Sequence, residues 1–98
     1  MTDMIIIVAM YKFVRLDNYK AMRPVVLSFC QERDIYGTLL LAEEGLNGTL
    51  AGTRAAIDEL LDFLKSDKRL ADLEYKESFS DEIPFHRTKV KLKKEIVT

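Results

Sequence analysis

Residues 35–64 read IYGTLLLAEEGLNGTLAGTRAAIDELLDFL, and this stretch decides the fold. Ile35 to Ala42 and Asn47 to Ala51 are short β-rich runs. Between them Glu43-Glu44-Gly45-Leu46 has the length and glycine content of a hairpin, with Gly45 and Gly48 expected to supply positive φ and Asn47-Gly48 a turn dipeptide. Gly52-Thr53 then marks a stop and a cap. Ile57, Leu60, Leu61 and Leu64 follow on one helical face, with Asp58, Glu59, Asp62 and Lys65 on the other.

Working outward, Met4 to Val14 (MIIIVAMYKFV) is dense in β-branched and aromatic residues without Gly or Pro, the pattern of a central strand. Asp17 is expected to cap a helix in which Tyr19, Met22, Val26, Phe29 and Cys30 or Arg33 recur at helical spacing, interrupted or bent near Pro24. Downstream, Leu73 to Phe79 alternates weakly, as an edge strand does. The order β-α-β-β-α-β predicts an α+β ferredoxin-like sandwich, in which two helices cover one face of a four-stranded antiparallel sheet. An extra C-terminal β-segment, His86 to about Val97, follows. The expected division is therefore a ferredoxin-like domain over residues 1–85 and a basic closing strand over 86–98.

With 98 residues and 48% hydrophobic content, the chain suits one packed domain. A net charge of -1 gives no global pull toward nucleic acid or anionic lipid, so any such attraction must be local. From Pro84 onward Arg87, Lys89, Lys91, Lys93 and Lys94 face a single acid, Glu95. Cys30 is the lone cysteine, which excludes an internal disulfide and fits a reducing, cytoplasmic setting. The apolar opening is far shorter than the roughly 20 residues of a membrane span and lacks the features of a signal peptide.

The closing segment is the most informative for function. On a strand, Arg87, Lys89, Lys91 and Lys93 fall on one face while Val90 and Leu92 anchor the other. Cations spaced roughly 6 to 7 Å apart approach the repeat of a nucleic-acid backbone. Lysines also blunt exposed sheet edges against aggregation, and both readings stand at this level. Glu43, Glu44, Asn47 and Thr49 could shape a polar pocket beside the hairpin glycines, although a plain turn explains them more simply. Cys30, on the apolar side of its helix, reads as a buried inert thiol. His86 is the one histidine, so zinc ligation has no ligand set. Neither a nucleophile-bearing motif nor a phosphate-cradling glycine loop occurs. The residues therefore point to no catalytic group, no metal and no cofactor.

Two stretches together carry a resemblance: Ala42-Glu43-Glu44-Gly45-Leu46-Asn47-Gly48-Thr49 and the run from Pro84-Phe85-His86-Arg87-Thr88-Lys89-Val90-Lys91 to Thr98. They are similar to the N-terminal, acylphosphatase-like domain of the TrhO/YceA family, rhodanese-domain tRNA uridine hydroxylases, and the similarity spans essentially the whole chain. It implies an oxygen-dependent conversion of wobble uridine to 5-hydroxyuridine, performed by a rhodanese-like domain beyond this fragment. Cys30 matches no catalytic position of the family. The implied role here is support: tRNA contact through Arg87, Lys89, Lys91, Lys93 and Lys94, or packing on the rhodanese-like domain without touching RNA. Acylphosphatases offer a third reading, a free-standing enzyme, but their glycine-rich first loop is replaced here by Val14-Arg15-Leu16-Asp17, and Asn47 falls in a different hairpin position.

Overall fold

The computed structural model describes residues 4–94. Five strands, β1 (Ile5–Phe13), β2 (Tyr36–Ala42), β3 (Gly45–Thr53), β4 (Glu74–Ser80) and β5 (Thr88–Leu92), form one sheet in the order β4-β1-β3-β2-β5. Helices α1 (Tyr19–Glu32) and α2 (Arg54–Lys65) cover one face, α1 over β2 and β5 and α2 over β1 and β3. The first four strands are antiparallel, as the ferredoxin-like order requires, while β5 runs parallel to β2 and makes the sheet mixed.

The core lies between sheet and helices. Ile6, Val8 and Met10 of β1, Leu39 and Leu41 of β2, Leu46 and Leu50 of β3 and Val90 of β5 meet Val26 and Cys30 of α1 and Ile57, Leu60, Leu61 and Leu64 of α2. Strand alternation supplies the first set and helical spacing the second. Between the helices Phe29 and Phe63 stack, with ring centroids 4.3 Å apart.

Local chemistry explains where the elements differ from expectation. Asp17 does not cap α1. Its carboxylate accepts from Arg15 Nε at 2.6 Å, and Asn18 holds the cap position without a capping side-chain bond, its amide oxygen accepting instead from Arg69. The helix runs unbroken through Pro24. The carbonyl that proline leaves without a donor is that of Lys20. Both residues are exposed, so water can satisfy it. Asp34 ends α1 in a left-handed conformation, φ 53°, the position glycine usually takes.

The hairpin is tighter than its sequence reading. Glu43 and Glu44 alone make the turn, and Gly45 enters β3 at φ 141°. Asn47-Gly48 is no turn dipeptide. Both residues sit inside β3, Asn47 between Tyr11 and Leu40 and Gly48 between Met10 and Leu39.

The closing strand belongs to the same layer as the rest. Beyond the β2 ladder, Gly37 N–H donates to the Arg87 carbonyl at 2.8 Å and Lys93 N–H to Leu41 at 2.9 Å. Arg23 Nε donates to the Val90 carbonyl at 2.6 Å, and Thr88 Oγ1 to the Ile35 carbonyl at 2.5 Å. The part of the expected strand beyond Lys94 lies outside the described residues.

Candidate functional site

The helices cover one face of the sheet and leave the other open, and the pairing registers order that open face into rows. Lys91 aligns with Leu40, Asn47, Tyr11 and Glu74. Next to it, Lys89 aligns with Thr38, Thr49, Ala9 and Lys76. A third row holds Tyr36, Ala51, Ile7 and Ser78, and the bond from Gly37 N–H to the Arg87 carbonyl continues the β5 ladder beside Tyr36. At the opposite end Phe13, Gly45 and Ala42 align.

Strand alternation therefore puts Arg87, Lys89, Lys91 and Lys93 in one line along the β5 edge of this face. All four are exposed, and none forms an ion pair among the described residues. Five other cations are paired, among them Lys12 with Asp72, Arg54 with Asp58 and Glu77, and Arg69 with Asp67, while Lys20, Arg23, Lys65, Lys68 and Lys76 form no ion pair among the described residues. What sets β5 apart is that four unpaired cations follow one another along a single edge of the open face. Lys94 stands apart from the line, lining a shallow depression with Phe13, Val14, Arg15, Glu43 and Glu44.

The four polar residues of the hairpin do not converge. Glu43 and Glu44 border the depression beside Lys94, whereas Asn47 and Thr49 line a separate one of about 660 Å³ with Ala9, Tyr11, Glu74 and Lys76. Glu43 instead pairs with Arg15 at 3.2 Å. Hydrogen bonding to Asp17, with the charges of Asp17 and Glu43, raises the Arg15 pKa above its ordinary value. The backbone of this loop is engaged too: Val14 N–H donates to the Glu44 carbonyl at 3.0 Å and Leu16 N–H to Glu43 at 2.7 Å. The first loop's Arg15 and the amides of Val14 and Leu16 are thus engaged by Asp17, Glu43 and Glu44 of the same domain.

Cys30 is buried, and desolvation pushes its thiol up to about 11 against a weak opposing pull from Arg33, which keeps it protonated and unreactive. Among the described residues no three His, Cys, Asp or Glu side chains cluster as a metal site, and no helix is long and apolar enough to cross a membrane.

The model of the UPF0176 acylphosphatase-like domain matches residues 5–96. The chain belongs to the UPF0176 family. This is the TrhO/YceA family that the hairpin and closing motifs resemble. Solved structures agree on the fold. A BLUF protein, BlrP1 BLUF, is 22% identical over 94% of this chain and 65% of its own, with a TM-score of 0.72. The Klebsiella pneumoniae BlrP1 calcium/cy-diGMP complex is 23% identical over 96% of this chain and 24% of its own, at 0.66. An acylphosphatase from Coxiella burnetii is 12% identical over 91% of this chain and 94% of its own, at 0.61. At such identities the likeness describes the acylphosphatase-like fold of this UPF0176 domain and not its chemistry.

Sequence reasoning missed the aromatic part of the open face. Tyr11 and Phe13 are 47% and 56% exposed, and their rings meet edge to face at 6.0 Å. The signal was present in β1, whose odd positions Ile5, Ile7, Ala9, Tyr11 and Phe13 are as apolar as its buried even ones. In a fold whose helices cover a single face, a strand apolar on both sides leaves one apolar side uncovered.

Proposed function

We propose that this UPF0176 domain is the non-catalytic, RNA-positioning part of a tRNA uridine hydroxylase, with the chemistry residing in a rhodanese-like domain of the same protein. The observation that carries this reading is the line Arg87, Lys89, Lys91 and Lys93, four exposed cations on one sheet face with no carboxylate partner among the described residues. Lysines on an edge strand also discourage pairing with another chain. A line along one face, at about 6.6 Å per step, is a surface for successive phosphates.

The test is a titration of the domain with tRNA at several salt concentrations, using wild type and a Lys89→Glu, Lys91→Glu, Lys93→Glu variant. Wild type should weaken steeply as salt rises. Losing three phosphate contacts should reduce the log–log slope by roughly 2 to 3. Equal binding by both proteins, or none at low salt, overturns the reading and leaves docking on the rhodanese-like domain as the role of this face.

A further inference from the structure

We propose that the open face is a platform for an unpaired stretch of RNA: its phosphates follow β5, and its bases lie inward over Tyr36, Leu40, the Asn47–Thr49 depression, Tyr11 and Phe13. This rests on the reading that the domain meets RNA and adds what kind of RNA and which side chains take the bases.

Charge sets the direction of the strand across the sheet. The β5 edge carries four unmatched cations, whereas on this face β4 offers Lys76 against Glu74, no net charge. A polyanion is thus held at β5, and its bases point toward β1. The apolar groups lie where those bases fall. Tyr36 and Leu40 are on β2, next to the cations, and Tyr11 is on β1, three strand spacings or about 14 Å from β5.

The middle of the face is low because its residues are small. Thr38, Thr49 and Ala9 follow Lys89 across the sheet, and the depression of about 660 Å³ opens beside Asn47 and Thr49. Its size is that of a small-molecule pocket. Among the described residues the side chains of Thr38, Asn47 and Thr49 make no hydrogen bond, which leaves an amide and two hydroxyls for base edges.

A duplex keeps its bases stacked inside and its edges in grooves, so it cannot use exposed rings. Unpaired bases can stack on them, which favours single strands. Charge complementarity on the β5 side and uncovered rings beyond it are the two requirements of such a surface, and both are met on one face.

The experiment measures fluorescence anisotropy of a labelled eight-nucleotide uridine-rich RNA, and of the same RNA annealed to its complement, with wild type and with Tyr11→Ala, Tyr11→Phe, Tyr11→Leu and Tyr36→Ala variants. Because Tyr11 is exposed, melting temperatures should stay close to wild type and separate binding from folding. The expected result is single strand over duplex, a loss of about 5-fold or more with either alanine variant, an unchanged salt slope, and rescue by Phe but not by Leu. If Lys89→Glu with Lys91→Glu weakens binding but the ring variants bind like wild type, the platform is overturned while RNA contact stands. If neither set matters, both readings fall. Equal rescue by Leu, or a self-association in sedimentation that Tyr11→Ala abolishes, overturns the platform in favour of an apolar protein contact.

Discussion

Gly48 on β3 is pressed against Leu39 on β2. A Cβ on Gly48 would stand 2.7 Å from the Leu39 Cα and 3.0 Å from its Cδ1, and closer still to the Thr38 carbonyl oxygen. The backbone atoms cannot yield without parting β2 from β3. Gly48→Ala should therefore cost about 1 to 3 kcal/mol, or roughly 4 to 8 °C of melting temperature per kcal/mol in a domain of this size. At Gly52 the added methyl first meets Ile35 Cγ1 at 3.2 Å, a side-chain atom, and Gly52→Ala should cost clearly less. Thermal unfolding followed by circular dichroism compares the two, and equal losses would refute the close-approach account.

That pair also shows how far the sequence could be read. The strands, both helices and their order were legible because Ile6, Val8 and Met10 alternate and Ile57, Leu60, Leu61 and Leu64 recur at helical spacing. Gly48 was misread because local dipeptide chemistry favours a turn at Asn-Gly, whereas the pairing of β3 with both neighbours keeps it extended. The cation line was legible from its period of two. The rest of the face was not, since it joins β1, β2, β3 and β5 through registers that only the folded sheet defines.

Thr53 illustrates a local rule that survived folding. Its hydroxyl accepts from Ala56 N–H at 3.2 Å at the start of α2. Thr53→Ala should destabilise the domain by about 0.5 to 2 kcal/mol, and Thr53→Ser should retain most of the stability. Urea unfolding midpoints decide; a serine variant no better than alanine would show that the methyl contact matters and not the cap.

Arg54 opens α2 and reaches Glu77 of β4 and Asp58 one turn along. The Glu77 hydrogen bond, the largest cause, and the Asp58 contact raise its pKa. Yet the arginine is about half exposed, and a cation at a helix N-terminus opposes the dipole. The Arg54–Glu77 coupling in a double-mutant cycle with Arg54→Ala and Glu77→Gln should therefore be below about 1 kcal/mol and shrink in high salt. A coupling insensitive to salt would contradict this.

Cys30 makes alkaline stability measurable. In the unfolded chain the thiol ionises near 9.0, while burial holds its proton to about 11 in the native state. Between these values the unfolded chain has lost a proton that the native protein keeps, so unfolding gains and native stability falls as pH rises. The contribution is intact below about pH 9 and declines through the window to pH 11, by about 2 kcal/mol at its end. Cys30→Ala removes this dependence and leaves a small cavity, whose cost does not change with pH. Denaturant unfolding of both proteins from pH 7 to 11 should show wild type losing its advantage as pH rises. Parallel curves would mean that the native thiol ionises as freely as the unfolded one, and a thiol reagent at pH 8 would then label the folded protein without prior opening.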